Sequence, residues 1–502
     1  MSAVRVTYSG LIALVLGLST VVTGMIFILI ITRNLSPDEL GTWSLIGGLI
    51  SYVIIIEPMI SYWTTREIAR DVESGKTAVF SSGIFSIIGF LIFLIIAFFV
   101  SEPTGTDDDI LYFAAIMIPF SFVNRTLSSI ALGWKPHVNG YGVIIFDIAK
   151  IPLAIFFIYF LDLGLIGVIL SITIAYIPSI LVLCSLLREK LQRNFNKIFL
   201  KSWLKRAWLP SYIKFPSVVV FDVLIFSIIT GSVVGLAYWV SAFAIASVVG
   251  HSSQITKAVY PKLLSGGSDK FFEVNFIRLL YFAFLFTAIS ISFAKPALFI
   301  LNPIYEVAVL VVVFLSLRTF LQMVGISFTN AMQGIEKVDL KEASVKSYLK
   351  SKLFYLPTIR LIRRAVYLST LAISLLILIQ FDTSQLDLVI AWSIILFIIE
   401  IPFTIYLFYL TKRNLSLSLD IITILKYLLI SIGVFTAIHF MMEEFLEYDE
   451  KLINFFPNVL PFSVLGLVIY FGLTYLVDHK TRKLFKGIFL EINKMIIKRD
   501  KK

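Results

Sequence analysis

Cysteine occurs once in these 502 residues, at Cys184, so no intrachain disulfide can form and the redox compartment cannot be read from it. Histidine is nearly as scarce. His137, His251, His439 and His479 share no ligand spacing with cysteine or with one another, which speaks against a zinc site. The glycine-lysine motif that cradles ATP phosphates is missing. Charge is thin too: only 15% of the residues are charged, whereas a soluble domain carries about a quarter. Connections between apolar stretches are too short for an independent soluble domain, which leaves membrane depth as the place for any chemistry.

What fills the chain is apolar residues, 58% of the total, with a mean hydropathy of +0.93. A crossing needs about 20 apolar residues. Stretches of that kind lie near 8–32, 42–62, 79–101, 110–133, 141–161, 163–187, 210–231, 233–258, 275–300, 304–333, 364–381, 386–411, 419–440 and 458–477. The expectation is an all-α integral membrane protein of about 14 transmembrane helices. The first stretch follows Arg5 as a signal peptide would, yet it is about twice as long as an h-region and lacks a small-residue exit, so it is expected to be retained.

Basic residues are sorted by side. Of the 43 lysines and arginines, Arg33, Lys295 and Lys451 are assigned to the opposite side and Arg125, Lys150, Lys214 and Arg318 to membrane depth, the others lying between stretches or toward their ends. They belong to every second connection or its flanks, among them Lys201, Lys205 and Arg206, then Arg360, Arg363 and Arg364, and the tail from Lys480 onward. The opposite connections are acidic, as in Asp107-Asp108-Asp109 and the run from Glu443 to Glu450. By the positive-inside rule both termini are cytoplasmic and the cell (cytoplasmic) membrane is the expected location. The net charge of +11 is therefore topological. Scattered over short flanking segments, it makes no continuous face for nucleic acid. Segments 201–208, 337–363 and 484–498 mix basic with apolar and aromatic residues, a composition suited to helices lying among membrane lipid headgroups or to plain loops.

The chain also repeats itself. Tyr112, Ala115, Arg125 and Thr126 return 193 residues later as Tyr305, Ala308, Arg318 and Thr319, and Gly41 has a counterpart at Gly235. Two separate segments sharing nearly one offset point to a duplicated six-span unit. The expected division is a first lobe 1–187, a basic linker 188–209, a second lobe 210–411, two extra helices in 412–477 and a tail 478–502. An even number of spans makes the repeat parallel, with a pseudo-twofold along the membrane normal and substrate near the midplane.

Thr32-Arg33-Asn34-Leu35-Ser36-Pro37-Asp38-Glu39-Leu40-Gly41-Thr42-Trp43-Ser44 resembles the turn after the first span of polysaccharide and lipid-linked-oligosaccharide flippases. Val234-Gly235-Leu236-Ala237-Tyr238, Tyr260-Pro261-Lys262-Leu263 and Ile304-Tyr305-Glu306-Val307-Ala308 resemble second-lobe signatures of that family. The resemblance covers roughly residues 5–480 and implies the O-antigen-flippase-like branch of the multidrug/oligosaccharidyl-lipid/polysaccharide exporter superfamily. Lipid II flippases and multidrug antiporters share the implied fold.

Charge at membrane depth costs about 3 kcal/mol on insertion scales, so it usually faces a wet cavity or a partner. Arg125 and Arg318 occupy repeat-equivalent positions, and two guanidinium forks suit one phosphate group; bracing within each lobe is the other reading. Asp147 and Lys150, three positions apart, share a helix face and can neutralise each other. Lys214 is near enough to a helix end to snorkel, and Asp222, deeper, is its candidate counter-ion or a cation site. Glu57 precedes Pro58 and Glu400 precedes Pro402, where a helix break could pair each carboxylate with a neighbouring span, H+ or Na+. Asn124, Thr126, Thr319, Gln322 and Asn330 offer polar groups for sugar hydroxyls or for helix packing.

The expected activity is flipping of a polyprenyl (di)phosphate-linked oligosaccharide to the outer leaflet by alternating access. No bond is made, no cofactor is needed, and glycan-assembly enzymes are candidate partners. Two other readings remain: a cation-coupled exporter of organic cations, which would favour acidic over basic cavity residues, and a non-transporting scaffold. A metal-using glycosyltransferase built on Asp107-Asp108-Asp109 would need the exterior domain that is lacking.

Overall fold

The computed structural model describes Thr20 and residues 22–208, 210–212, 221–256, 259, 263, 268–336, 338, 347, 349–483 and 485–486. Lys214, the Tyr260-Pro261-Lys262 signature and nearly all of 337–348 and 484–498 lie outside the described residues.

Helix α1 spans Val22–Asn34. Helix α2, Pro37–Ile54, begins with a full capping box: the Ser36 hydroxyl accepts from the Glu39 amide, and the Glu39 carboxylate accepts from the Ser36 amide at 2.9 Å. Pro37 stands at the first helical turn, where no amide is needed. The second Glu39 oxygen accepts from the Leu165 amide at 3.0 Å, at the start of a later helix. A Cβ on Gly41 would sit 2.0 Å from the Val233 carbonyl oxygen, so only glycine fits there. Each conspicuous residue of that motif thus has a local structural task.

Helix α3, Pro58–Ile68, follows a 62° bend centred on Glu57 and Pro58, as the Glu-Pro pair suggested. Next come α4 (Gly75–Thr104), α5 (Asp108–Ala114), α6 (Met117–Trp134), α7 (Pro136–Ala154, continued by a wider turn to Phe160) and α8 (Gly164–Leu186). Asp107 caps α5 by accepting from the Asp109 amide at 2.9 Å, so the aspartate triplet starts a helix. Helix α9, Lys197–Lys205, lies in the basic linker, and it is docked rather than laid on lipid by its whole aromatic face: Trp203 is fully buried and donates to Glu67 Oε1 at 2.9 Å, while Ile198 and Leu204 stay exposed.

The chain continues with α10 (Phe221–Thr230), α11 (Val234–Ala246), α12 (Asp269–Ser292), α13 (Ala294–Leu301), α14 (Val309–Gly334), α15 (Lys352–Leu378), α16 (Gln385–Asn414), α17 (Ile421–Phe445) and α18 (Leu452–Val477). No strand occurs among the described residues. Among the described residues eleven helices are long and apolar enough to cross a bilayer, twelve if the bent α2–α3 pair is one span. Helices α1 and α10 are apolar but shorter over their described residues. This is a multi-pass membrane protein.

Two expectations need correction. Arg360, Arg363 and Arg364 are not loop residues, because α15 starts at Lys352 and carries all three. Long basic side chains can reach outward from a helix end, so charge alone does not end a helix. Nor does Pro402 break its helix, since α16 runs through it from Gln385 to Asn414; neighbouring groups in a membrane protein can satisfy the freed carbonyl.

The chain falls into two compact units, one of Met1–Ser241 with Pro357–Trp392, the other of Ala242–Leu356 with Ser393–Lys502. One core of the first unit joins Ile60 and Trp63 of α3, Leu127 and Ile130 of α6, Leu183 of α8 and Trp203. In the second unit α17 and α18 are bound to α12 by packing and by polar staples. Tyr281 and Thr474 share a hydroxyl bond at 3.0 Å, the Tyr470 hydroxyl donates to the Tyr281 carbonyl at 2.9 Å, and Tyr427 donates to Asp478 at 2.7 Å. The repeat signature also has local counterparts: a short helical element ends at Ala115 before α6, and another ends at Ala308 before α14.

Candidate functional site

In the first unit Arg125 is exposed on α6, although that helix is one of the spans. Its neighbours one turn away are Ser121 and Phe122, both buried, and Ser128 and Ser129, both half-buried. Among the described residues no carboxylate lies within ion-pair distance of it. Its charge acts on the hydroxyl of Tyr176 in α8. Tyr176 stacks on Phe146 of α7 at 4.6 Å, and the Lys150 ammonium lies 5.3 Å from the centre of the same Phe146 ring. Lys150 and Asp147 form the anticipated pair at 2.6 Å, both mostly buried. Asn124 is engaged by packing: it accepts from the Ser179 hydroxyl at 2.9 Å.

Glu57 is buried at the α2–α3 bend and accepts from the Ser61 hydroxyl at 3.0 Å. Buried Asp222 on α10 accepts from the Tyr367 hydroxyl at 2.8 Å and from Arg364 at 3.5 Å. Trp392 in turn donates its indole N–H to the Tyr367 hydroxyl and stacks on Trp239 at 3.7 Å. Tyr52 of α2 lies within electrostatic reach of both Asp222 and Arg364. Sequence reasoning missed Arg364, Tyr367 and Trp392. The available signal was the three-residue spacing of Arg364 and Tyr367, which sets them on one helix face.

In the second unit Arg318 of α14 lies 3.9 Å from Glu400 of α16, with only 16% and 6% of the side chains exposed. The bracing reading of Arg318 is therefore realised. Thr319 donates to its own helix at Leu315, and Thr404 donates to the Leu321 carbonyl at 3.4 Å. Gln322, one turn beyond Arg318, is half-buried. Three of the four carboxylates inside the spans thus hold a basic partner of their own unit. Among the described residues no group of His, Cys, Asp and Glu is assembled for a metal ion.

No protein-family model and no curated protein matches the sequence. Solved structures do match. The lipid II flippase MurJ in an inward closed conformation aligns with a TM-score of 0.59 at 14% identity, over 94% of this chain and 100% of that one. An inward-facing multidrug resistance transporter of the MATE family, in the MOP superfamily, gives 0.56 at 13% identity over 78% and 95% of the two chains. An outward-facing one gives 0.51 at 17% identity over 82% and 95%. The chain shares the fold of these solved structures.

Proposed function

We propose that the protein flips a polyprenyl (di)phosphate-linked oligosaccharide from the cytoplasmic to the outer leaflet by alternating access, with both termini cytoplasmic, about 14 spans and the duplicated six-span lobes of the sequence repeat. The observation that carries this reading is Arg125, an exposed cation on a membrane-crossing helix. Such a charge is kept only for a partner that offsets its cost, and a phosphate matches a guanidinium best. Arg318 and Lys214 are the further phosphate-contacting groups, Lys150 serves the same cavity through its pair with Asp147, and Asn124 and Gln322 are the sugar-facing groups. An interior-negative potential favours outward movement of an anionic headgroup by about 2.3 kcal/mol per charge per 100 mV. Glu57 at the α2–α3 bend is the first place where H+ or Na+ would exchange, and Asp147, Asp222 and Glu400 would do so only when their ion pairs open.

A fluorescent polyprenyl-phosphate-linked sugar flipped in proteoliposomes tests the proposal. Arg125→Ala is expected to slow flipping at least about tenfold; an unchanged rate rejects the assignment. Collapsing proton and sodium gradients separately tests the exchange.

A second reading, a cation-coupled multidrug exporter, is favoured by the likeness to MATE structures. Against it stands the pairing of Asp147, Asp222 and Glu400 with Lys150, Arg364 and Arg318, which neutralises carboxylates that an organic cation would use. Drug export that persists in Arg125→Ala and Arg318→Ala would favour this second reading.

A further inference from the structure

Beside Arg125 lies an aromatic surface that phosphate recognition alone does not require. Tyr176 is half-buried, lies three residues before Ser179, whose hydroxyl donates to Asn124 beside Arg125 at 2.9 Å, and is backed by Phe146 at 4.6 Å with their planes 28° apart. Phe146 is itself held between two cues: the Lys150 ammonium lies 5.3 Å from its ring centre and is fixed by Asp147 at 2.6 Å. Lys150 also lies 5.2 Å from the Phe27 ring of α1, so the pair is wedged between two helices. The arrangement gives a rigid ring with a charged fork at one edge.

We propose that Tyr176 is the platform for the sugar ring adjoining the phosphate held by Arg125, and that Phe146 and the Asp147–Lys150 pair are positioning residues that fix its tilt. The inference rests on the flippase reading and adds the ligand class at this subsite, a glycosyl phosphate rather than a bare lipid phosphate. The C–H face of a pyranose carries partial positive charge and meets the negative face of an aromatic ring. An organic cation would also favour an aromatic face, but Arg125 repels it, and Asp147, one position along from Phe146, is already paired with Lys150. A sugar and its 1-phosphate are joined through one oxygen, so the subsite for the ring has to lie beside the guanidinium, and the Asn124–Ser179 bond sets that stretch of α6 against α8.

The test uses the full chain in lipid nanodiscs and two radiolabelled probes, a polyprenyl phosphate and the same lipid phosphate carrying glucose. Arg125→Gln is expected to weaken both by about tenfold or more. Tyr176→Leu is expected to weaken only the glucose-bearing probe, by about five- to tenfold, and Tyr176→Phe to restore it, because the ring rather than the hydroxyl does the stacking. Phe146→Leu is expected to give a smaller loss confined to the same probe. A Tyr176→Leu variant that loses both probes equally, or a Tyr176→Phe variant as weak as Tyr176→Leu, overturns the platform while leaving the flippase reading intact. Wild-type protein that binds neither probe but binds labelled tetraphenylphosphonium refutes both. Thermal melting of each variant in the same nanodiscs separates misfolding from lost recognition.

Discussion

Replacing Glu400 by glutamine should make the protein bind an anionic headgroup more tightly while making it less stable. In the resting structure the Arg318 guanidinium faces the Glu400 carboxylate at 3.9 Å, and neither side chain is more than a sixth exposed. Two unit charges near 4 Å interact by about 4 kcal/mol at an effective dielectric constant near 20, which is the upper limit of what a phosphate must compete against. Desolvation and neighbouring groups reduce this, and a net of roughly 1–2 kcal/mol corresponds to about five- to thirtyfold in affinity. Glu400→Gln keeps the shape and removes the competitor. Equilibrium binding of polyprenyl phosphoglucose in nanodiscs should strengthen by that factor, and the gain should vanish in the double variant Arg318→Met/Glu400→Gln. The melting temperature should fall, because an arginine that has lost its carboxylate costs stability, here about 1–3 kcal/mol since Arg318 still touches solvent. Binding that is no tighter in Glu400→Gln, or a gain that survives loss of Arg318, refutes the competition.

Arg364→Leu should destabilise the first unit by about 3 kcal/mol by leaving buried Asp222 without a cation, supported only by the Tyr367 hydroxyl and the Val223 amide, and adding Asp222→Leu should recover most of the loss; melting in detergent reads both. Gly41→Ala should cost about 1–3 kcal/mol because the new Cβ overlaps the Val233 carbonyl, whereas Gly47→Ala, with nothing within 4 Å, should stay within about 1 kcal/mol of the parent. At the start of α17, the Lys480 ammonium at 2.6 Å and the Thr423 amide hold Asp420 down to about 2. A carboxylate depressed in this way adds stability above its ordinary range near pH 4, and that stability is lost as the pH falls toward 2. Asp420→Asn should therefore narrow the melting difference from the parent only below about pH 4, by less than about 1 kcal/mol because the pair is well exposed.

Most of the span pattern was legible because a bilayer demands long apolar runs, and runs survive in one dimension. The Asp147–Lys150 pair was legible for a related reason: three positions on a helix fix two side chains on one face. Glu57-Pro58 was read correctly as a bend, yet the same reasoning failed at Pro402, and Pro178, Pro357 and Pro457 also lie inside continuous helices. What a proline does in a span depends on which neighbours accept the freed carbonyl, and that is a tertiary property. The Arg318–Glu400 and Asp222–Arg364–Tyr367 contacts join residues that only helix packing brings together, so no spacing announces them. Arg364 was hidden further by its setting, a basic cluster ahead of an apolar run that looks like a loop until the helix is seen to start twelve residues earlier.

The bond from the Leu165 amide to Glu39 counts crossings. Glu39 belongs to the first turn of α2 and Leu165 to the first turn of α8, so 3.0 Å between them puts both helix starts at one surface of the bilayer. A hydrocarbon layer about 30 Å thick would separate them if the segments between made an odd number of passages. The bent α2–α3, then α4, then α5 with α6, and then α7 must therefore make an even number. A carboxylate reaching 126 residues along the chain fixes that parity independently of where lysine and arginine fall.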